Sequence, residues 1–238
     1  MRFYRRSTEI KAITFDLDDT LYDNRPIILQ LERHLESWLH QYHPVTSTRS
    51  KSWWLALKRA VIIEKPNLKH DLTQWRCCQL QKGFVDLGYP ANEANHAASA
   101  AMEQVSIYRN RVDVPAESLG VLKRLAQNYR LVAITNGNVN VEKIGLASYF
   151  EATFRAGPDG RSKPFPDLFD QASQYLALPS NKILHVGDNL RTDVLGAKRC
   201  GFQACWFNPH TENIRTNVKA RVLPDVEVTH LNQLLLWL

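Results

Sequence analysis

The chain has 238 residues, of which 30 are lysine or arginine and 24 are aspartate or glutamate, so its formal net charge is +6. Hydrophobic residues make up 44% and charged residues 23% of the sequence, which is ordinary globular usage and excludes wholesale disorder. The length suits one domain, with or without an insertion, and excludes a large multidomain machine. No apolar run approaches the roughly 20 residues that cross a bilayer, so we expect a cytoplasmic protein with no membrane partner.

The four cysteines and the net charge exclude few kinds of functional site. No two cysteines have Cys-x-x-Cys spacing, so we expect reduced thiols rather than a disulfide scaffold. The basic residues are spread along the chain without a dense run. Charge alone therefore leaves both a nucleic-acid partner and small anionic substrates open.

The first predicted strand is Ala12–Phe15, which ends at Asp16. From Arg25 to about Arg111, apolar residues then recur three or four positions apart in four successive stripes. This spacing is typical of amphipathic helices and predicts an all-helical block without a strand. Four of the six tryptophans lie in this block, and we expect them to pack between helices rather than to stack on a flat ligand.

From Val112 onward, short apolar strands alternate with helices. The predicted strands are Leu131–Thr135, Ala152–Phe154, Ile183–Val186, Gln203–Phe207 and Val226–Val228. The predicted helices are Ala116–Gln127, Pro166–Ala177, Thr192–Cys200 and one at the C-terminus. This alternation indicates a parallel sheet covered on both faces. We therefore predict a doubly wound, Rossmann-like α/β core, residues 1–22 and 112–238, with an all-helical insertion at residues 23–111.

Chemically useful side chains follow the strands of this predicted core. In open α/β sheets, ligands bind beyond the carboxyl ends of the strands. The residues predicted there are Asp16, Asp18, Thr135, Asn136, Asp188 and Asp193, together with Lys163 from a glycine-rich loop. Clustered carboxylates repel one another unless a cation lies among them, and oxygen ligands without thiolate or imidazole favour Mg²⁺. Thr135 and Lys163 are suited to holding phosphate oxygens.

The two-residue spacing of Asp16 and Asp18 predicts different roles for them. Both side chains can enter one site if the chain turns after Leu17. Near Mg²⁺ and Lys163, Asp16 stays ionised and can attack phosphorus to form an aspartyl phosphate. Asp18 can protonate the leaving oxygen and later accept a proton from water. We therefore predict Mg²⁺-dependent hydrolysis of a phosphate monoester. We expect Asp19 to serve the turn and His185 to be structural.

Four short motifs, in chain order, resemble those of the haloacid dehalogenase (HAD) superfamily of phosphatases. They are Asp16-Leu17-Asp18-Asp19-Thr20, Thr135-Asn136-Gly137, Lys163-Pro164, and Gly187-Asp188 with Asp193. The resemblance implies that the helical insertion is a cap. It also implies that Asp16 is the nucleophile and Asp18 the general acid and base.

The same resemblance implies a set of ligands. Mg²⁺ would be held by the side chains of Asp16 and Asp188 and by the backbone carbonyl of Asp18. Phosphate would be bound by Thr135, Asn136 and Lys163, and Asp193 would lie in or beside the metal shell.

The substrate and the subgroup of the superfamily leave alternatives open. The core motifs are similar to those of a bacterial HAD phosphatase of flavin metabolism, which implies FMN or 5-amino-6-(5-phospho-D-ribitylamino)uracil as substrate. Dehalogenases of the superfamily resemble this pattern but lack an acid at the place of Asp18, and Thr20 resembles the phosphatases more than the phosphoryl-transfer mutases.

The remaining alternatives are a HAD phosphatase of nucleotides or sugar phosphates and a non-enzymatic HAD-like binding module. A binding module has no use for the acid at Asp18. We expect a small phosphorylated metabolite as partner and no nucleic acid. The oligomeric state stays open.

Overall fold

The computed structural model describes residues 1–6 and 8–237, the side chain of Trp237 excepted. The chain forms two compact units. We call Met1–Asp23 with Asp113–Leu238 the core unit, and Asn24–Val112 the cap unit. Each boundary lies one residue later than the predicted one. No helix among the described residues is both long and apolar enough to cross a membrane.

Over the described residues the chain forms seven strands and seven α-helices. The strands are β1 (Arg2–Phe3), β2 (Ala12–Phe15), β3 (Arg130–Thr135), β4 (Ala152–Arg155), β5 (Ile183–Gly187), β6 (Gln203–Phe207) and β7 (Val226–Val228). The helices are α1 (Arg25–Tyr42), α2 (Lys51–Glu64), α3 (Leu72–Asp86), α4 (Ala91–Arg109), α5 (Ala116–Leu125), α6 (Asp167–Leu176) and α7 (Gly196–Arg199).

Shorter helical turns connect these elements. The 3₁₀ turns are Pro44–Thr48, Pro66–His70, Ala147–Tyr149, Ser180–Lys182 and Leu231–Trp237. The predicted C-terminal helix is therefore a 3₁₀ helix. The helix predicted at Thr192–Cys200 is instead a π-helical turn, Leu190–Leu195, followed by the short α7. Asn189 caps this turn, because its side chain accepts hydrogen bonds from the backbone N–H groups of Arg191 and Thr192.

The seven strands form one sheet in the order β1-β7-β6-β5-β2-β3-β4. Every pair is parallel except β1 with β7. The predicted fold class, a doubly wound α/β core with a helical insertion, is confirmed. The antiparallel strand β1 was not predicted, because two residues are too few to show an apolar pattern.

The middle of the sheet determines where a ligand can bind. β2 lies between β5 and β3, and every residue of β2 and β5 is buried, as expected for strands covered on both faces. From β2 the chain builds β3 and β4 on one side, then crosses back to build β5, β6 and β7 on the other. This reversal opens a crevice beyond the carboxyl ends of β2 and β5.

The cap unit contains four α-helices and two 3₁₀ turns and no strand, and all its residues are described. Helix α4 packs against α1 and α3, and α3 packs against α2. Four buried alanines allow α4 to approach its neighbours closely: Ala94, Ala97, Ala98 and Ala101. Trp38 and Trp54 pack against the same apolar cluster, as the sequence predicted.

Candidate active site

Asp16 stands at the carboxyl end of β2, beside β5. Its backbone N–H donates to the carbonyl of Val186 at 2.9 Å, which extends the β2–β5 pairing to Asp16 itself. Its side chain accepts hydrogen bonds at both oxygens, from Lys163 Nζ to Oδ1 at 2.7 Å and from Thr20 Oγ1 to Oδ2 at 3.4 Å. Only 7% of Asp16 is exposed. The strand end thus places a buried carboxylate with a fixed orientation at the crevice.

The chain turns immediately after Asp16, as the spacing of the two aspartates required. Asp19 has φ of +60°, a left-handed conformation that aspartate tolerates, and its N–H donates to the carbonyl of Tyr22 at 2.9 Å. The Tyr22 hydroxyl donates to Asp18 Oδ1 at 2.7 Å. Asp19 therefore serves the turn, and Tyr22 orients the Asp18 carboxylate. Tyr22 was not predicted as a site residue, since its position four residues after Asp18 is informative only once the turn is known.

Lys163 brings its positive charge into this buried environment. Nζ donates to Asp16 Oδ1 at 2.7 Å, to Asp193 Oδ1 at 2.6 Å and to the carbonyl of Ile134 at 2.8 Å. These acceptors use all three ammonium hydrogens. Burial by itself would lower the pKa of Lys163, but the two carboxylates outweigh it and raise the pKa. Lys163 is therefore a permanently charged link between the ends of β2 and β3 and the π-helical turn.

The side chain of Asn136 holds the backbone of Lys163. The Lys163 N–H donates to Asn136 Oδ1 at 2.7 Å, and Asn136 Nδ2 donates to the Lys163 carbonyl at 3.0 Å. Both polar atoms of the Asn136 side chain thus fix Lys163. The neighbouring Thr135 is fully buried, and its Oγ1 accepts from the N–H of Gly137 at 2.9 Å. The Thr135 hydroxyl can still donate its own hydrogen, as a phosphate ligand must.

Asp193 lies on the π-helical turn, against the end of β5. Its Oδ2 accepts from the N–H of Asn189 at 3.0 Å and from Thr192 Oγ1 at 3.3 Å. A Cβ atom at Gly187 would lie 2.4 Å from Asp193 Cγ. Glycine is therefore required at the end of β5, because any side chain there would push Asp193 out of the cluster.

The buried side chain of His185 contacts Asp193. His185 Nε2 lies 3.2 Å from Asp193 Oδ1, and His185 Nδ1 lies 2.9 Å from Thr14 Oγ1. Burial lowers the pKa of His185, so the ring is neutral. Because a carboxylate only accepts, Nε2 carries the hydrogen and Nδ1 accepts from the Thr14 hydroxyl. His185 is structural, as predicted from the sequence, although it acts directly on a site residue.

Three carboxylates meet at this point. Ligand oxygens of Asp16, Asp188 and Asp193 all lie within 4.8 Å of one another. Burial raises the pKa of Asp16 well above its usual value, although the charge of Lys163 acts in the opposite direction. Burial and the negative charge of Asp193 together raise the pKa of Asp188 to about 7. Burial acts in the same direction on Asp193, but Lys163 and the hydrogen bond from His185 lower the pKa of this carboxyl.

This charge distribution suits a divalent cation. One ammonium against three carboxylates leaves two negative charges when all are ionised. The donors are hard oxygens, which Mg²⁺ prefers, and the group can therefore hold a metal ion. Asp193 Oδ1 is already bonded to Lys163 and His185, whereas the carboxylate of Asp188 forms no ion pair with any described residue.

The chain was compared with known proteins. The family model described as haloacid dehalogenase-like hydrolase matches residues 10–201. The chain is 46% identical to a 5-amino-6-(5-phospho-D-ribitylamino)uracil phosphatase, YigB, of Escherichia coli, over 98% of both chains. It is 27% identical to a glyceraldehyde 3-phosphate phosphatase of Pyrococcus abyssi, over 83% of this chain and 81% of that one.

A solved structure is also similar over almost the whole length. It is the crystal structure of a 2-haloacid dehalogenase from Pseudomonas syringae, with a TM-score of 0.89 and 34% identity, covering 94% of this chain and 96% of that one. The family predicted from the four motifs is thus confirmed. The chain belongs to the haloacid dehalogenase-like hydrolases.

Proposed function

We propose that this protein is a Mg²⁺-dependent phosphatase that hydrolyses the phosphate monoester of a small metabolite, 5-amino-6-(5-phospho-D-ribitylamino)uracil. One observation carries the proposal. A buried carboxylate, Asp16, lies against a fixed ammonium at the crevice of the sheet, with two further carboxylates within 4.8 Å. Asp18, oriented by Tyr22, lies on the turn that follows.

These side chains support two successive displacements at phosphorus. Asp16 attacks the phosphorus atom, the bond to the ester oxygen breaks, and Asp18 gives its proton to the departing alcohol. Asp18 then takes a proton from water, whose oxygen attacks the aspartyl phosphate, and Asp16 is restored as phosphate leaves. Lys163 stabilises the phosphoryl oxygens through its charge, and the Thr135 hydroxyl stabilises them by a hydrogen bond. Asn136 keeps Lys163 in place.

A divalent cation completes the charge balance of this site. The side chains of Asp16 and Asp188 and the backbone carbonyl of Asp18 would hold Mg²⁺, with Asp193 beside them. Bound there, Mg²⁺ would neutralise the carboxylates and the charge of the phosphoryl group.

The similarity to the Escherichia coli relative supports the choice of substrate. That protein is a 5-amino-6-(5-phospho-D-ribitylamino)uracil phosphatase, and the alignment, 46% identical overall, covers the cap unit as well as the core unit. FMN, nucleotides and sugar phosphates are the competing substrates. A cytoplasmic location belongs to the same proposal.

Dehalogenation is the second candidate, because a dehalogenase structure is 34% identical to this chain. The chemistry of the leaving group argues against it. A halide departs without a proton, whereas the alcohol of a phosphate ester needs one. An acid at Asp18, held by the Tyr22 hydroxyl at 2.7 Å, is useful only in the second case.

The test is phosphate release by the purified chain with Mg²⁺, across flavin precursors, FMN, nucleotides and sugar phosphates, compared by kcat/KM. We expect the ribitylaminouracil phosphate to rank first and EDTA to stop the reaction. Asp16→Asn should lower kcat at least about 10³-fold. The matched control is Asp170→Asn, which changes an exposed aspartate on α6 and should leave kcat unchanged.

The rival functions give different results in the same experiment. Chloride release from 2-chloropropionate without phosphate release would identify a dehalogenase. Salt-sensitive binding of nucleic acid without any hydrolysis would identify a binding module. Full activity of Asp16→Asn would contradict the proposed mechanism whatever the substrate.

A further inference from the structure

The cap unit contains a cavity that the proposed mechanism does not use. Its volume is about 330 Å³, and it lies between α1, α2, α3 and the 3₁₀ turn Pro44–Thr48. Small-molecule sites are typically about 300–1,000 Å³ in volume. The cavity is therefore large enough for a ligand of one or two aromatic rings.

The wall of this cavity is mostly apolar. Leu35 and Leu39 of α1, Trp54 of α2 and Leu80 of α3 line it. Leu55, also of α2, lines it as well and is 54% exposed, so it lies at the opening. An indole face among leucines favours a flat apolar body over a sugar or a peptide.

Positive charge exceeds negative charge along the same lining. The acids Glu32 and Glu36 are engaged by two cations, Arg76 and Lys51 respectively. Lys58 and Arg49 remain, and neither forms an ion pair within the described part of the chain.

Lys58 is half-buried, and its ammonium forms no ion pair with any described residue. Its Nζ lies 4.7 Å from the centre of the Trp75 ring. Burial and the nearby charge of Arg76 lower the pKa of Lys58, and Glu32 opposes them only in part. An anion beside Nζ would restore the charge to its usual stability.

A second polar group in the lining also has no partner. Thr46 belongs to the 3₁₀ turn, lines the cavity and is 1% exposed. Its Oγ1 is buried and forms no hydrogen bond with any described residue. Buried hydroxyls are normally hydrogen-bonded, and leaving one without a partner costs roughly 1–3 kcal/mol. This oxygen is closed off from solvent, so the polar contact of the cavity is left to Lys58.

We propose that this cavity is a binding site for a small aromatic anion, with its rings against Trp54 and the leucines and its acidic group at Lys58. The proposal is independent of the phosphatase reaction, because every lining residue belongs to the cap unit.

The probe is 8-anilinonaphthalene-1-sulfonate, followed by its fluorescence as it is added to the full chain. N-phenyl-1-naphthylamine has the same rings without the sulfonate and serves as the neutral probe. We expect Lys58→Met to weaken the sulfonate about tenfold and the neutral probe hardly at all. Lys65→Met, an exposed lysine at the end of α2 and outside the lining, is the matched control and should bind both probes normally.

A second pair of variants tests the position of the site. Leu55→Trp places a large ring at the opening and should abolish binding of both probes. Ile63→Trp is the control on the same helix, since Ile63 is 80% exposed and does not line the cavity. The indole N–H resonance of Trp54 should shift on adding the sulfonate. Unchanged sulfonate affinity in both Lys58→Met and Leu55→Trp, or a Trp54 resonance that does not move, would overturn the proposal.

Discussion

Two lysines, one in each unit, show how the partners of a charged side chain determine the direction in which its pKa shifts. Lys163 of the core unit donates to two carboxylates and a carbonyl, and its pKa is raised. Lys58 of the cap unit lies over the Trp75 ring without an ion pair, and its pKa is lowered. Burial acts in the same direction on both. Lys163 is a fixed part of the cluster of carboxylates at the candidate active site, whereas Lys58 still has charge to offer a ligand.

Replacing the fully partnered lysine tests this contrast most strongly. Lys163→Met leaves Asp16 and Asp193 buried without their cation, and we expect it to lower the free energy of unfolding by about 3–5 kcal/mol and to abolish phosphate release. The matched control is Lys182→Met, which removes an ion pair to Glu9 at the surface and should cost at most about 1 kcal/mol. Urea unfolding at pH 7 measures both.

An equal loss of unfolding free energy in Lys163→Met and Lys182→Met would contradict this contrast between the lysines. It would mean that the three hydrogen bonds of Lys163 contribute no more than a solvated pair. Lys58→Met is the third variant to be measured by urea unfolding. Because Lys58 forms no ion pair with any described residue, we expect its loss to cost far less than that of Lys163.

Asp188 gives the second test, through pH. Its folded-state pKa of about 7 is above its ordinary value of 3.8, so the folded protein binds a proton that the unfolded chain releases. The stability that this proton provides is present below about pH 4 and is lost as the pH rises through 7. Without Mg²⁺, Asp188→Asn should therefore be more stable than the natural protein at pH 8, by about 2 kcal/mol after allowance for partial exposure.

Thermal unfolding in EDTA at pH 5 and pH 8 measures this effect. Added Mg²⁺ should reverse it, because the natural protein gains stability from the cation and Asp188→Asn loses a ligand. Asp170→Asn should follow the natural protein at both pH values. A natural protein that is as stable at pH 8 as at pH 5 in EDTA would contradict the raised pKa of Asp188.

Motif residues at strand ends could be predicted from the sequence because topology brings them together. Asp16 and Asp188 follow β2 and β5, which are neighbours in the sheet, so their proximity follows from the strand order alone. Lys163 lies on no strand. The motif resemblance identified it, and its contact with Asp16 at 2.7 Å agrees with that assignment.

Residues that act through a second side chain could not be found in the same way. Tyr22 contacts Asp18, and His185 contacts Asp193. Thr14 in turn contacts His185. The spacing of these residues in the sequence does not indicate any of these contacts. The π-helical turn was also missed, since apolar periodicity does not separate a wide turn from an α-helix. In the cap unit the spacing of apolar residues predicted helices that pack together. It did not predict the cavity between α1, α2 and α3.

Asn136 gives the smallest effect and the finest test. The sequence assigns it to phosphate, whereas in the structure both atoms of its side-chain amide bond to the backbone of Lys163. We expect Asn136→Ala to cost about 1 kcal/mol of stability and to lower kcat about tenfold, because Lys163 loses its fixed position. Asn140→Ala is the matched control. The Asn140 side chain also forms two hydrogen bonds to the backbone, accepting from the N–H groups of Glu142 and Lys143, and its replacement should leave kcat unchanged.

A double-mutant cycle separates the two roles of Asn136. If Asn136 acts only through Lys163, Asn136→Ala should weaken phosphate binding in the natural background and have no further effect once Lys163 is methionine. Inorganic phosphate, added with Mg²⁺ and followed by calorimetry, reports this without requiring turnover. Additive losses in the double variant would mean that Asn136 reaches the phosphate itself, and that its hold on Lys163 is released when substrate binds.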